Sequence, residues 1–268
     1  MTGQRITGGQ PLASMIGMAD LEQALSFGSA AATYDQFRPS YPVAALTWAV
    51  DADTPSDLVD LAAGTGILTR QLLGLGHRVV PVEPDPGMRA QLAAATPGTT
   101  ALAGSAEAIP LPDGGTDMIM SGQAYHWFDR ERAHAEAARV LRPGGRFAPI
   151  WNSRDESVPW VAALSALLAD FAGRSSVDTA PDLTSFGDAF EPLERAEFRH
   201  DTTHTADTLV GLVSTRSYYL TASPTRQREL ETAVRDLTAH HPDLAGRPSF
   251  DLPYRTTVYR ARRQVLRS

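Results

Sequence analysis

The stretch Leu58-Val59-Asp60-Leu61-Ala62-Ala63-Gly64-Thr65-Gly66-Ile67-Leu68-Thr69 constrains the fold of this chain more than any other. A short apolar run giving way to glycines and then to helical spacing predicts a buried strand that turns tightly into a helix. Glycine at 64 and 66 permits positive φ and lets a ligand approach with no Cβ in the way. The helix that follows offers N–H groups without intrahelical partners and the positive end of its dipole. Strand, glycine turn and helix start, in that order, make a cradle for a small ligand.

A dinucleotide is the first candidate. In G-x-G-x-x-G the third glycine lets helix and strand pack closely beneath a pyrophosphate, but here that position is Thr69. Asp60 ends the strand four residues before Gly64, where its carboxylate can meet an ammonium group or a water bound to one. That spacing suits a ligand with an amino-acid end and no phosphates.

From 43 to 151 strand and helix signals alternate, as in a parallel sheet covered on both faces. The predicted strands are Asp57–Leu61, Arg78–Val82, a short one near Thr100–Ala103, Thr116–Gly122 and Arg146–Trp151. Helical spacing joins Leu68, Leu72 and Leu75, then Met88, Leu92 and Ala95, then Ala133, Ala137, Val140 and Leu141 behind Asp129 as N-cap. After 151 come a helix bearing Trp160, Leu164, Leu167 and Phe171, a strand at Glu197–Thr203, a helix opened by Ser223-Pro224, and a last strand at Thr256–Arg262. Ligands of such sheets sit beyond the carboxyl ends of the strands. Glu83 follows the second strand and can accept hydrogen bonds from both hydroxyls of a ribose. Gln123-Ala124-Tyr125-His126-Trp127-Phe128-Asp129 follows the fourth. Its rings cannot all face one way at either period, so some should line a pocket. His126 titrates near neutrality and could orient or deprotonate an acceptor.

Composition removes several chemistries. All 24 basic residues are arginine, which excludes lysine Schiff bases, and the absence of cysteine excludes thiol nucleophiles, disulfides and thiolate metal sites. His200 with His204, and His240 with His241, lack acidic partners at ligand spacing and read as surface residues, so no metal is expected. The net charge of −7 argues against nucleic-acid or anionic-membrane partners. No apolar run has transmembrane length and no signal peptide opens the chain, so a soluble, cytoplasmic protein is expected, as monomer or homodimer.

The stretch at 58–69 resembles motif I of the class I S-adenosylmethionine-dependent methyltransferases. Phe27 through Pro42, with its "F…A…Y…RP.YP" pattern, is similar to the opening lid segment of their type 11 group, and "A.HW.D" at 124–129 and "L.PGG" at 141–145 match it as well. The resemblance implies an α/β fold: a Rossmann-like, doubly wound, seven-stranded sheet, mostly parallel with the last strand antiparallel. The glycine- and polar-rich opening reads as a leader over 1–24, and the resemblance implies a single domain over 25–268. The cofactor core would occupy 25–151, with closing strands and a helical cap at about 205–248 in 152–268. S-adenosylmethionine is the implied cofactor. Its implied contacts are Tyr34, Arg38, Asp60, Ala62, Gly64, Thr65, Gly66, Glu83, Pro84, Met88, Ser105, Ala106, Glu107 and Gln123. Ser105 departs from the pattern, since an aspartate commonly meets the adenine there. Tyr41, Tyr125, Trp127 and Trp151 are the implied acceptor contacts, with His126 as the catalytic residue. The implied acceptor is a small molecule, since relatives of this kind methylate carboxylic acids such as trans-aconitate, quinone precursors and natural products.

Two rival readings stay open on the residues alone. A nicotinamide-dependent oxidoreductase is disfavoured by Thr69 and by the lack of any Tyr-x-x-x-Lys pair. A non-catalytic binder of the same cofactor would keep Asp60, Gly64 and Glu83 but would not need His126.

Overall fold

The computed structural model describes residues 31–173 and 179–265. The leader expected over 1–24 and Phe27 of the lid segment lie outside the described residues. In chain order the elements are α1 (Ala31–Phe37), α2 (Val43–Val50), β1 (Asp57–Leu61), α3 (Ile67–Gly74), β2 (Arg78–Val82), α4 (Pro86–Ala95) and β3 (Thr116–Gly122). There follow α5 (Arg130–Val140), β4 (Leu141–Arg154), α6 (Pro159–Ala172), β5 (Glu194–His204), α7 (Ala206–Ser214), α8 (Ser217–Leu220), α9 (Pro224–His240) and β6 (Phe250–Arg262). Helix starts follow local chemistry. Asp85, Asp129 and Ser223 each accept a hydrogen bond from a backbone N–H three residues on, and Pro86 and Pro224 occupy first-turn positions.

The strands form one six-stranded sheet in the order β2-β1-β3-β4-β6-β5. β1 to β4 are parallel neighbours, and β6 runs antiparallel to both β4 and β5. The doubly wound α/β expectation therefore holds, with one correction: among the described residues the sheet has six strands and not seven. The strand expected near Thr100–Ala103 is a single parallel bridge between Leu102 and Val82. Leu102 bonds across to Pro81 O and Glu83 N, and Gly98 at φ +86° and Gly104, packed too close to Pro110 for any Cβ, flank it.

Strand boundaries also move: β5 runs from Glu194 to His204 against the expected Glu197–Thr203, and β4 continues past Trp151 to Arg154. β4 starts at Leu141, because the Arg142–Gly145 turn forms a bulge between the pairs Thr116–Leu141 and Met118–Arg146. β6 starts at Phe250, so Pro253 and Tyr254 lie within the strand and pair with Asp201 and His200.

Alternation in the buried strands supplies both faces of the sheet. Val59, Ile119 and Phe147 pack with Ala137 of α5, Phe186 and Phe190, while Leu58, Met118 and Met120 pack with Leu46, Ala49 and Leu72 on the other side. A third cluster joins α6, α7 and α9 to Phe250 and Leu252. The helices α7 to α9 all fall in the β5–β6 connection. His204, expected at the surface, is buried at the edge of this connection, hydrogen-bonded to Thr202 and Thr208. Among the described residues, no helix is long and apolar enough to cross a membrane.

Candidate functional site

Two turns at the carboxyl end of the sheet carry strain. After β1, Ala62 has φ +56°, Gly64 +57° and Gly66 +84°; after β3, Gln123 has φ +57°. For alanine and glutamine such a backbone costs on the order of 1–3 kcal/mol each and persists only where surroundings enforce it. Gly66 is the N-cap of α3, and a Cβ there would come within 2.8 Å of Leu92 Cγ. Gly64 instead faces open space. Glycine thus serves packing at 66, whereas at 64 it leaves the space beside the backbone open.

Gln123 is held by a reciprocal pair across β3 and β4. Asn152 N donates to Gln123 Oε1 at 2.7 Å, and Gln123 Nε2 donates to Asn152 O at 3.2 Å. The Asn152 side chain donates to Ser40 O and accepts from Thr256 Oγ1. The turn before α2, the middle of the sheet and its last strand are tied together at this point.

Between the two turns lies a cleft whose inter-atomic space, part of it open to solvent, is about 570 Å³. The expected residues that line it are Tyr34, Arg38, Tyr41, Asp60, Ala62, Gly64, Thr65 and Gln123. Asp60 is buried. Its Oδ2 accepts from Thr69 Oγ1 at 2.6 Å, and its Oδ1 has no hydrogen-bond partner. Burial, resisted by the Thr69 bond and reinforced by Glu83, pushes its pKa up to about 7. Tyr41 is buried against Gly122, where a Cβ would overlap its hydroxyl. Burial, then the neighbouring Tyr34 and Asp60, raise the Tyr41 pKa well above the usual phenol range. The guanidinium of Arg38 lies 4.6 Å from the ring centre of Tyr34, and its Nη2 donates to Thr215 O at 3.3 Å.

Other expected residues stand behind or beside the cleft. Glu83 is buried, its two oxygens accepting from Gly64 N and Asp85 N at 2.9 Å each, so it braces the glycine turn from below. Burial raises its pKa too. Pro84 is exposed, and Met88 is buried on α4. Ser105 and Ala108 close a small turn, Ala106 is buried in the core, and Glu107 Oε1 accepts from Asp129 N, fixing the start of α5.

The aromatic run divides. Tyr125 is wholly buried, its ring centre within about 6 Å of those of Phe128, His134, Trp151 and Phe186, and its hydroxyl is 2.9 Å from His134 Nε2. Trp151 is buried in the same cluster. Both are core residues, away from the cleft, because the rings of Phe186 and Phe190 pack around His134 and Phe147 on this side of the sheet. His126 is exposed on the short 3-10 turn Tyr125–Trp127, its ring 4.7 Å from that of the half-buried Trp127, and neither lines the cleft.

Pro39, Ala63, Ile67, Leu68 and Gly122 line the cleft beside expected residues, and from further along the chain come Asn152 near the end of β4, Arg216 between α7 and α8, and Tyr254 on β6, none of them an expected site residue. Thr69 also escapes the sequence reading, as the residue in the place of a glycine that turns out to hold Asp60.

The donor set fits S-adenosylmethionine. A buried carboxylate oxygen without a partner suits an ammonium group, and the open face at Gly64 admits a ligand close to the backbone.

Residues 59–148 match the family model of the methyltransferase domain. An uncharacterized methyltransferase of Mycobacterium tuberculosis is 41% identical over 240 residues, 90% of this chain and 96% of its own. A solved structure from Anaeromyxobacter dehalogenans, described as a type II methyltransferase, superposes with a TM-score of 0.61 at 26% identity, over 85% of this chain and 98% of its own. In fold the chain is also similar to a phosphoethanolamine N-methyltransferase of Haemonchus contortus solved with S-adenosylhomocysteine. That match has a TM-score of 0.52 at 14% identity, over 94% of this chain and 61% of the other. With motif I built as a strained glycine turn under a buried acid, and with a full-length relative at that identity, this chain belongs to the class I S-adenosylmethionine-dependent methyltransferases.

Proposed function

We propose that this enzyme methylates a small-molecule acceptor bound in the cleft beneath the α7–α9 insertion. The observation that carries the reading is that Arg216 and Tyr254 line the same cleft as Asp60 and Gly64. A site floored by the glycine turn and roofed by the insertion suits a compact acceptor better than a groove-bound polymer. The net charge of −7 agrees, since nucleic-acid substrates call for basic grooves.

Bound S-adenosylmethionine supplies an electrophilic methyl on a sulfonium sulfur, which keeps the bonding pair as the methyl leaves. The chain supplies position. In this reading Asp60 Oδ1 takes the ammonium group, and the Ala62–Gly66 backbone and Arg38 hold the rest of the amino-acid end. Glu83 keeps a lone pair on each oxygen for the ribose hydroxyls, with Pro84 and Met88 flanking it and Ser105–Glu107 on the adenine side. Gln123 sets the opposite wall. Tyr34, Tyr41 and Tyr254 exclude water and press the acceptor to about 3–3.5 Å in line with the reacting bond, the geometry that turns binding into rate. His126 is exposed and does not line the cleft, so in this reading it takes no part in binding the cofactor.

The reading is tested with the methyl-tritiated cofactor and a cell extract as acceptor pool. Label should enter the acid-soluble small-molecule fraction. Label confined to precipitated protein or nucleic acid would refute it.

A further inference from the structure

We propose that β5 is a dimerisation edge, through which two copies of the chain pair antiparallel about Phe198 and join their sheets into one.

Among the described residues the sheet has two edges, β2 and β5. An edge strand offers backbone N–H and C=O groups to any second strand, and proteins blunt it by short length, proline, bulges, charge or a covering segment. β2 is blunted. It has five residues, contains Pro81, and is met by Leu102, which bonds to Pro81 O and Glu83 N. β5 runs for 11 residues without proline or glycine and pairs with β6 from Glu194 to His204 with no bulge.

Charge is the one device left to β5, and its sign is mixed. Arg195, Glu197, Arg199 and Asp201 share one face of the strand, and all four are exposed. A second copy set antiparallel about Phe198 brings its Arg199 opposite Glu197 and its Asp201 opposite Arg195. Two-fold symmetry gives each of these pairs twice. Sliding one strand by two residues sets Arg195 on Arg199 in one direction and Glu197 on Asp201 in the other. Sliding it by one turns its charged face to the other side of the sheet. On the opposite face Phe198, packed on Trp48, meets its own copy, and Ala196 meets His200.

Within one chain these charges are only half used. Glu197 lies 3.0 Å from Arg195 and 3.4 Å from Arg255. Arg199 and Asp201 form no ion pair among the described residues, and Arg199 stands opposite Arg255 in the β5–β6 ladder, cation beside cation. A second copy supplies both missing counter-charges, its Glu197 to Arg199 and its Arg195 to Asp201.

The test is sedimentation velocity on the full chain between about 1 and about 100 µM at ~50 mM salt, with thermal melts to show that each variant is folded. Wild type should pass from monomer toward dimer across that range. Arg199→Glu sets a carboxylate opposite Glu197 of the second copy and should weaken the dimer about tenfold or more. Inside the chain the same change turns a cation pair with Arg255 into an opposite pair, so loss of the dimer cannot be laid to a weaker fold. Glu197→Arg should weaken the dimer alike. Mixed in equal parts, the two variants should form a heterodimer within about threefold of wild-type affinity, because every charge across the axis again meets its opposite. If Glu197→Arg does not fold, Asp201→Arg mixed with Arg195→Glu runs the same design on the other pair. Wild type that stays monomeric at about 100 µM overturns the proposal. So does a dimer that both reversals leave unchanged, since its contact then lies elsewhere, and so do folded variants that stay monomeric when mixed.

Discussion

Thr69 Oγ1 donates to Asp60 Oδ2, and this bond fixes a cleft-lining carboxylate whose other oxygen is buried without a hydrogen-bond partner. Thr69→Val keeps the shape and deletes the donor, leaving a buried acceptor unsatisfied. It should cost about 1–3 kcal/mol of stability and weaken S-adenosylhomocysteine binding, while Thr69→Ser should restore most of both. Urea unfolding and calorimetry read the two effects. A valine variant equal to wild type in both would remove Thr69 from the site.

Asp60 makes stability fall with rising pH. Burial raises its carboxyl from the ordinary 3.8 to about 7, so between these values the folded chain holds a proton that the unfolded chain has released. The stabilisation is fully present below about 4 and is lost as pH rises through about 7. Asp60→Asn should flatten this slope, which amounts to about 1–4 kcal/mol across the window. Ligand binding should run the other way. An ammonium facing Oδ1 favours the ionised acid, so affinity should climb up to about pH 7 and binding at pH 6 should release protons. Titrations in two buffers of different ionisation enthalpy measure that release, and a slope that survives in Asp60→Asn would assign it to another group.

Gly66 and Gly64 should fail differently. Gly66→Ala meets positive φ and the Leu92 side chain together, and should destabilise by about 2–4 kcal/mol. Gly64→Ala meets strain in open space and should cost about 1 kcal/mol. Because Gly64 lines the cleft, its variant should nevertheless lose cofactor affinity. Equal melting temperatures for the two would contradict the packing argument.

Tyr125 and His126 are adjacent in sequence and opposite in role. Tyr125→Ala empties a core position and should cost about 3–5 kcal/mol. His126→Ala should change stability by no more than about 0.5 kcal/mol and leave S-adenosylhomocysteine affinity intact. A large affinity loss on His126→Ala would bring that residue into the cofactor site.

The sequence makes the cradle legible because its determinants are local. The strand, the two glycines, Asp60 and Glu83 act through residues near them in the chain, and β1, β2 and β3 occur at the expected bounds. The roof is opaque for the opposite reason. Asn152 reaches the cleft through bonds to Ser40 and Thr256, and Arg38 meets Thr215, contacts between segments with no shared period. Alternation could not say which ring of the Tyr125–Phe128 run turns inward. That is decided by Phe186 and Phe190, from a stretch spotted with proline and glycine whose pattern predicts no element.

The β5–β6 connection leaves the sheet at His204 and returns at Phe250, and those two residues are paired with each other. To the sheet, everything from 205 to 249 is a closed excursion that begins and ends on the same rung. Its length can therefore change without shifting the register of any strand, provided that the replacement keeps the packing on α6 and the carbonyl at Thr215 that Arg38 reaches. A relative's excursion grafted between His204 and Phe250 with those contacts retained should leave the six-stranded sheet intact.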